Sequence, residues 1–194
     1  MSDDRLCALT LRERDNLDPE MQALVRGLEK KYGFVPNFVR LFATDNLRLR
    51  AFMGQYLELM RRDSGLSPLE HEMIAVVSAT TNGCTYCTAF HGMLLRGVAK
   101  DEQFADTLAA DFTQAGLSPR HRAMLDFAVK VNRDAEAITD ADRAGLRAVG
   151  FDDEAIFMIC STAAFYAGAN RLAQAIGLRP SDRYGSMHRA APAR

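Results

Sequence analysis

The 194 residues are 48% hydrophobic and 25% charged with a formal net charge of −1, the balance of a globular chain able to bury one sizeable core. Basic and acidic residues are interspersed, which argues against a nucleic-acid surface or a charged membrane-binding tail. No apolar run approaches the ~20 residues of a membrane span, and the polar start Met1-Ser2-Asp3-Asp4-Arg5 lacks a signal-peptide core. The expected compartment is therefore the cytoplasm.

Residues 1–17 read as a loose leader, with Cys7 in a mobile tail. Asp18-Pro19-Glu20 then offers an N-cap with proline in the first turn. Met21, Leu24, Val25 and Leu28 follow at helical spacing until Gly33. Pro36 to Thr44 reads as a short helix. Asn46 to Asp63 reads as a longer one, with an apolar stripe of Leu47, Phe52, Tyr56, Leu57 and Met60. After Ser64-Gly65, the capping box Ser67-Pro68-Leu69-Glu70 opens a helix to about Thr81.

Asn82-Gly83 breaks the chain, and the next helix spans about Cys84 to Arg96, ended by Gly97. A short acidic helix over 101–111 follows. The helix after Ser118-Pro119 turns Met124, Leu125, Phe127, Ala128 and Val131 inward, and Thr139–Val149 and about Asp152–Gly177 complete the set. No segment alternates with period two. The expected fold is all-α, a bundle of about eight or nine helices.

Leu117-Ser118-Pro119 repeats Leu66-Ser67-Pro68 at an offset of 51 residues. Carried across with a slip of about two residues, the offset sets Cys84, Cys87 and His91 on Ala137, Asp140 and Ala144, and without a slip Glu72 on Ala123. The pattern suggests a duplicated helical unit with one functional half. The expected organisation is a single domain over 18–178, with a chemical hairpin at 66–98, a degenerate second copy at 117–178 and a tail at 179–194.

Cys84, Cys87 and His91 share one helical stripe because residues three and four apart lie on one face. A cysteine attacks as thiolate, and a free thiol near pKa ~8.5 is mostly protonated at neutral pH. The positive end of the helix favours ionisation of Cys84. His91, one turn after Cys87, can accept its proton. Glu72, on the preceding helix, would fix the imidazole tautomer if it reaches His91. A second thiol then converts a sulfenic acid into a disulfide. Helix-start placement favours Cys84 as the attacking thiol, and proximity to His91 favours Cys87.

The alternative for the same residues is a structural zinc site built from Cys84, Cys87, His91 and Glu72, although no second pair of ligands at zinc-finger spacing exists. Cys7 and Cys160 read as inert. His71 and His121, each in an early turn after Ser-Pro, read as surface residues. Phe90, Met93 and Leu94 read first as core and second as a pocket wall. Phe165, Tyr166 and Asn170 could line the site, with nothing in the sequence to orient them.

Glu72, eleven residues and then C-x-x-C-x-x-x-H together resemble the AhpD-like alkylhydroperoxidases of the carboxymuconolactone decarboxylase-like superfamily. The helical plan extends the likeness over most of 36–178, and Pro36-Asn37-Phe38 resembles the branch of uncharacterised peroxidase-related proteins. The resemblance implies an all-helical homo-oligomer (dimer, trimer or hexamer) that reduces a small hydroperoxide. It implies no haem, flavin or other cofactor, and recharging by an external dithiol or dihydrolipoyl-type reductant. On the same resemblance Cys87 is the attacking cysteine, Cys84 the resolving one, and His91 with Glu72 the proton relay.

Well-studied members have a histidine just before the second cysteine. Here that residue is Tyr86, a secondary candidate whose phenol, with pKa ~10, is a poor neutral-pH proton shuttle. Two further readings go with the scaffold: a cysteine-independent lactone decarboxylase, and a non-enzymatic redox-sensing or zinc-holding oligomer.

Overall fold

The structure, a computed structural model, describes residues 5–11, 16–60 and 65–189. Its described residues form α1 (Pro19–Tyr32), α2 (Asn37–Phe42), α3 (Asn46–Leu59), α4 (Pro68–Thr81) and α5 (Thr85–Ala99). Then come α6 (Glu102–Asp111), α7 (Pro119–Arg133), α8 (Asp140–Ala148), α9 (Asp153–Ala175) and a short α10 (Arg183–Ser186). No strand occurs among them, so the all-α expectation holds. No described helix is long and apolar enough to cross a membrane.

Most helix starts are local chemistry. Asp18, Asp45, Asp101, Ser118 and Asp152 each accept a backbone N–H three residues on, satisfying donors that the first turn leaves open. Ser67 and Thr139 form reciprocal capping boxes with Glu70 and Asp142.

The bundle is organised around α4. Every residue from Glu70 to Ala79 on it is buried, because α5, α6, α7 and α9 all pack against it. Met73, Ile74, Val76 and Val77 meet Leu95, Met124, Leu125, Met158 and Ile159 in the main core. Each such side chain contributes roughly 1.5–3 kcal/mol by leaving water. A second core, around the start of α5, gathers Phe38, Leu41, Tyr86, Met93, Ala173, Ile176 and Tyr184. A smaller third joins α1, α2 and α3 through Met21, Val39, Leu49 and Met53.

Several expectations are corrected. The leader is not loose where it is described: Cys7 is 3% exposed. The Ala8 N–H donates to the Ile176 carbonyl at 2.9 Å and the Arg179 N–H to the Leu6 carbonyl at 3.1 Å. Within the expected tail, α10 carries the fully buried Tyr184 into the second core.

Helix α5 does not end at Gly97. It continues to Ala99 and stops at Lys100, whose φ is 54°. Gly97 serves close approach instead: a Cβ there would lie 3.0 Å from the His188 imidazole. On α3, Leu47 and Leu57 face solvent, and the core positions are Leu49, Met53 and Leu59. That helix ends at Leu59, and the expected stretch to Asp63 falls mostly outside the described residues. His71 is not a surface residue. It is 2% exposed because α4 has no solvent side.

Candidate functional site

Gly83, at φ 68°, turns the chain from α4 into α5, a conformation that glycine adopts without strain. Cys84 then occupies the N-cap of α5, and its Sγ accepts the Cys87 N–H at 3.3 Å. This is the ordinary N-cap reach of three residues, and it brings the two sulfurs together. Cys84 and Cys87 are joined by a disulfide with Cα atoms 5.3 Å apart. Both are buried.

One turn on, His91 Nδ1 lies 2.9 Å from Glu72 Oε2 on α4. A carboxylate only accepts, so the shared hydrogen is on Nδ1 and Nε2 is left as the basic nitrogen. The residues are 2% and 8% exposed respectively for Glu72 and His91, and such enclosure strengthens the contact relative to water. The Tyr166 ring of α9 stands edge-on to the imidazole, centroids 4.6 Å apart, and limits its rotation.

Cys87, His91 and Tyr86 open into a cavity of about 60 Å³. Tyr166, Asn170 and Phe165 of α9 form one wall, Phe52 and Tyr56 of α3 another, and Phe38 of α2 a third. Burial first, then the charge of Glu72, pushes the phenols of Tyr56 and Tyr166 above the usual tyrosine range. Burial, followed by the charge and hydrogen bond of Tyr184, does the same for Tyr86. All three phenols are therefore neutral at physiological pH.

Tyr86 has a structural task. Pro36 provides no side-chain cap for α2, and the Tyr86 oxygen accepts the Phe38 N–H at 2.9 Å instead. The preceding N–H, of Asn37, donates to the Tyr184 oxygen at 3.1 Å.

The five residues singled out in the sequence, Glu72, Cys84, Tyr86, Cys87 and His91, thus sit together. Phe90 lines the cavity as well, while Met93 and Leu94 are core. His121 lies 3.8 Å from Glu70, away from the site. The buried His71 pairs with the Thr162 hydroxyl at 3.3 Å. Cys160 is raised by burial and packs against the main core. Cys7 belongs to the second core, and its thiol donates to the Leu9 carbonyl at 3.3 Å. Among the described residues, no group of three or more His, Cys, Asp and Glu is placed to hold a metal ion.

Asn170 was only one of several unoriented candidates in the sequence, and the fold gives it a place. It is 1% exposed, and neither Nδ2 nor Oδ1 has a hydrogen-bond partner in the protein. An amide left so costs about 1–3 kcal/mol. The signal was its polarity directly after the apolar run Ala163-Ala164-Phe165-Tyr166-Ala167-Gly168-Ala169, one helical turn beyond Tyr166.

Residues 48–108 match the model of the carboxymuconolactone decarboxylase family. An uncharacterised peroxidase-related protein from Silicibacter sp. TM1040 is 37% identical, with a TM-score of 0.92 over 97% of this chain and 99% of its own. A second, described as an alkylhydroperoxidase AhpD core from Ralstonia eutropha JMP134, is 36% identical, with a TM-score of 0.89 over 96% and 98%. The debrominase Bmp8, 19% identical with a TM-score of 0.73 over 97% and 98%, shares the fold alone. Comparison with curated proteins gives no match. The all-helical architecture and the two close structural relatives together establish that the chain belongs to the AhpD-like, carboxymuconolactone decarboxylase-like superfamily, in its peroxidase-related branch.

Proposed function

We propose that the protein is a thiol-dependent peroxidase that cycles between a Cys84/Cys87 dithiol and the disulfide. The observation that carries this reading is the cysteine pair at the start of α5 with His91, paired to Glu72, one turn on, Cys87 and His91 both opening on one aromatic-walled cavity. In the reduced protein, His91 Nε2 takes the proton of Cys87, and Glu72 stabilises the imidazolium through Nδ1–H. The Cys87 thiolate attacks the terminal oxygen of a hydroperoxide and the O–O bond breaks. The electron pair leaves on the other oxygen, which takes the proton from His91 and departs as an alcohol.

Cys87 is left as a sulfenic acid. The Cys84 thiol attacks its sulfur, water leaves, and the disulfide forms. An external dithiol or dihydrolipoyl-type reductant then exchanges with the disulfide, returning both thiols and leaving as its own disulfide. The cysteines are the redox centre, so no cofactor enters the reaction. Tyr86, held as a neutral phenol, takes no part in the proton transfers.

Assembly with further copies of the chain belongs to the same reading. Phe157 and Leu172, 61% and 40% exposed on α9, support it, since apolar surface of this kind is commonly covered by a partner.

The test follows hydroperoxide consumption with a dithiol reductant in wild type, Cys87→Ser and His91→Ala. Loss of turnover in the first variant and a severe slowing in the second are expected. Equal rates in all three would sink the mechanism.

A further inference from the structure

Asn170 holds the only buried side-chain nitrogen and oxygen without a partner among the described residues. Other buried polar side chains there are satisfied: Glu72 by His91, Asn132 by Ser78 and the Ala128 carbonyl, Thr162 by His71. Native folds rarely leave such a group without a partner, whether protein, bound water, ion or ligand. Asn170 stands one turn beyond Tyr166 on α9, on the same cavity as Cys87 and His91. The cavity is small, about 60 Å³. A molecule seated against the Cys87 sulfur therefore lies within reach of the amide.

Resting on the peroxidase reading, we propose that Asn170 binds the hydroperoxide group itself. An amide presents an acceptor and a donor side by side, and a hydroperoxide presents the complement on two neighbouring oxygens. Oδ1 accepts the terminal O–H and so aims the terminal oxygen at Cys87. Nδ2 donates to the oxygen bonded to carbon, where negative charge develops as the O–O bond breaks. That oxygen leaves as the alcohol after taking the proton from His91, and the terminal oxygen keeps its hydrogen in the Cys87 sulfenic acid. The organic group rests against Phe52, Phe90 and Phe165. Asn170 thus makes its strongest contact in the transition state, where a fixed donor in an enclosed site acts most effectively.

The test separates the two halves of the cycle. Reduced protein is mixed with ethyl hydroperoxide, and thiol loss is followed for wild type, Asn170→Leu and Asn170→Ser. Re-reduction of each oxidised protein by dithiothreitol is timed separately. Oxidation of the leucine variant should slow by roughly 100-fold, while re-reduction stays within about twofold of wild type. Its Tm should equal or exceed that of wild type, because an apolar group replaces an unpaired amide. Wild-type oxidation rates in the variants, or equal slowing of both half-reactions, overturn the role of Asn170 and leave the peroxidase reading standing. A wild type whose thiols ignore the hydroperoxide overturns both. Should the leucine variant not fold, the serine variant decides by the same comparison.

Discussion

The Tyr86 phenol oxygen accepts the backbone N–H of Phe38 at 2.9 Å, across 48 residues of chain. With Tyr184 on the Asn37 N–H, it caps α2 from two distant elements, because Pro36 has no side chain able to do so. The residue just before the second cysteine is here a support that holds α2 and the cavity wall against α5.

Tyr86→Phe keeps the ring and removes the acceptor, stranding a buried N–H. A stability loss of about 1–3 kcal/mol is expected in urea titrations. The hydroperoxide rate should change by less than about threefold, since a neutral buried phenol moves no proton at physiological pH. A rate loss beyond that without a matching stability loss would make Tyr86 part of the proton relay.

Tyr184 belongs to a helix of four residues, yet it is 0% exposed and packs against Tyr86, Phe90 and Phe34. Its carbonyl also accepts from the buried Arg96 guanidinium. Tyr184→Ala should therefore destabilise the whole protein by about 3–5 kcal/mol, as truncating a large core ring does. Equilibrium unfolding measures it, and a loss below about 1 kcal/mol would show that the C-terminal segment is merely draped on the surface.

Glu72→Gln leaves the shape of the α4–α5 contact and removes the charge beside His91 Nδ1. Thiol oxidation by hydroperoxide should fall roughly 10- to 100-fold, because in the proposed cycle the imidazolium formed when Cys87 loses its proton would no longer have an anionic partner. The pH–rate profile, followed from mildly acidic to mildly alkaline conditions, should change shape together with the rate. An unaltered profile at wild-type rate would separate Glu72 from the chemistry.

His71 carries a pH dependence of stability. Burial opposes its charged form and holds its pKa below the ordinary 6.5, although Glu72 and Glu70 pull the other way. The unfolded chain then binds a proton that the folded one refuses. The contribution of His71 is fully present above pH 6.5 and is lost as pH falls from there through the lower folded value. Between about pH 7 and about pH 5.5 the urea midpoint of wild type should drop, and His71→Gln should flatten part of that drop. Parallel curves would mean that His71 titrates alike in both states.

The thiol stripe was legible in the sequence because its spacing is local: an N-cap cysteine, a second cysteine three residues on and a histidine one turn later share a face whatever surrounds them. The caps at Asp18 and Ser67 were legible for the same reason. The burial of His71 was not. Early-turn position after Ser-Pro suggests a solvated side, and only contact with four other helices removes it. Leu47 and Leu57 misled in the opposite sense, since apolar character on α3 does not say which face meets the core.

By itself, then, the sequence determined the helices other than α10, most of their starts and the order of Cys84, Cys87 and His91, since capping and periodicity act within a turn or two of chain. Tertiary structure decided that Glu72 meets His91, that Tyr86 and Tyr184 cap α2, and that Asn170 faces the cysteine cavity with its amide unpaired. Those relationships join residues distant in the chain. On helices such as α4 and α9, where apolar residues lie on nearly every side, no pattern within one helix selects which face meets which neighbour.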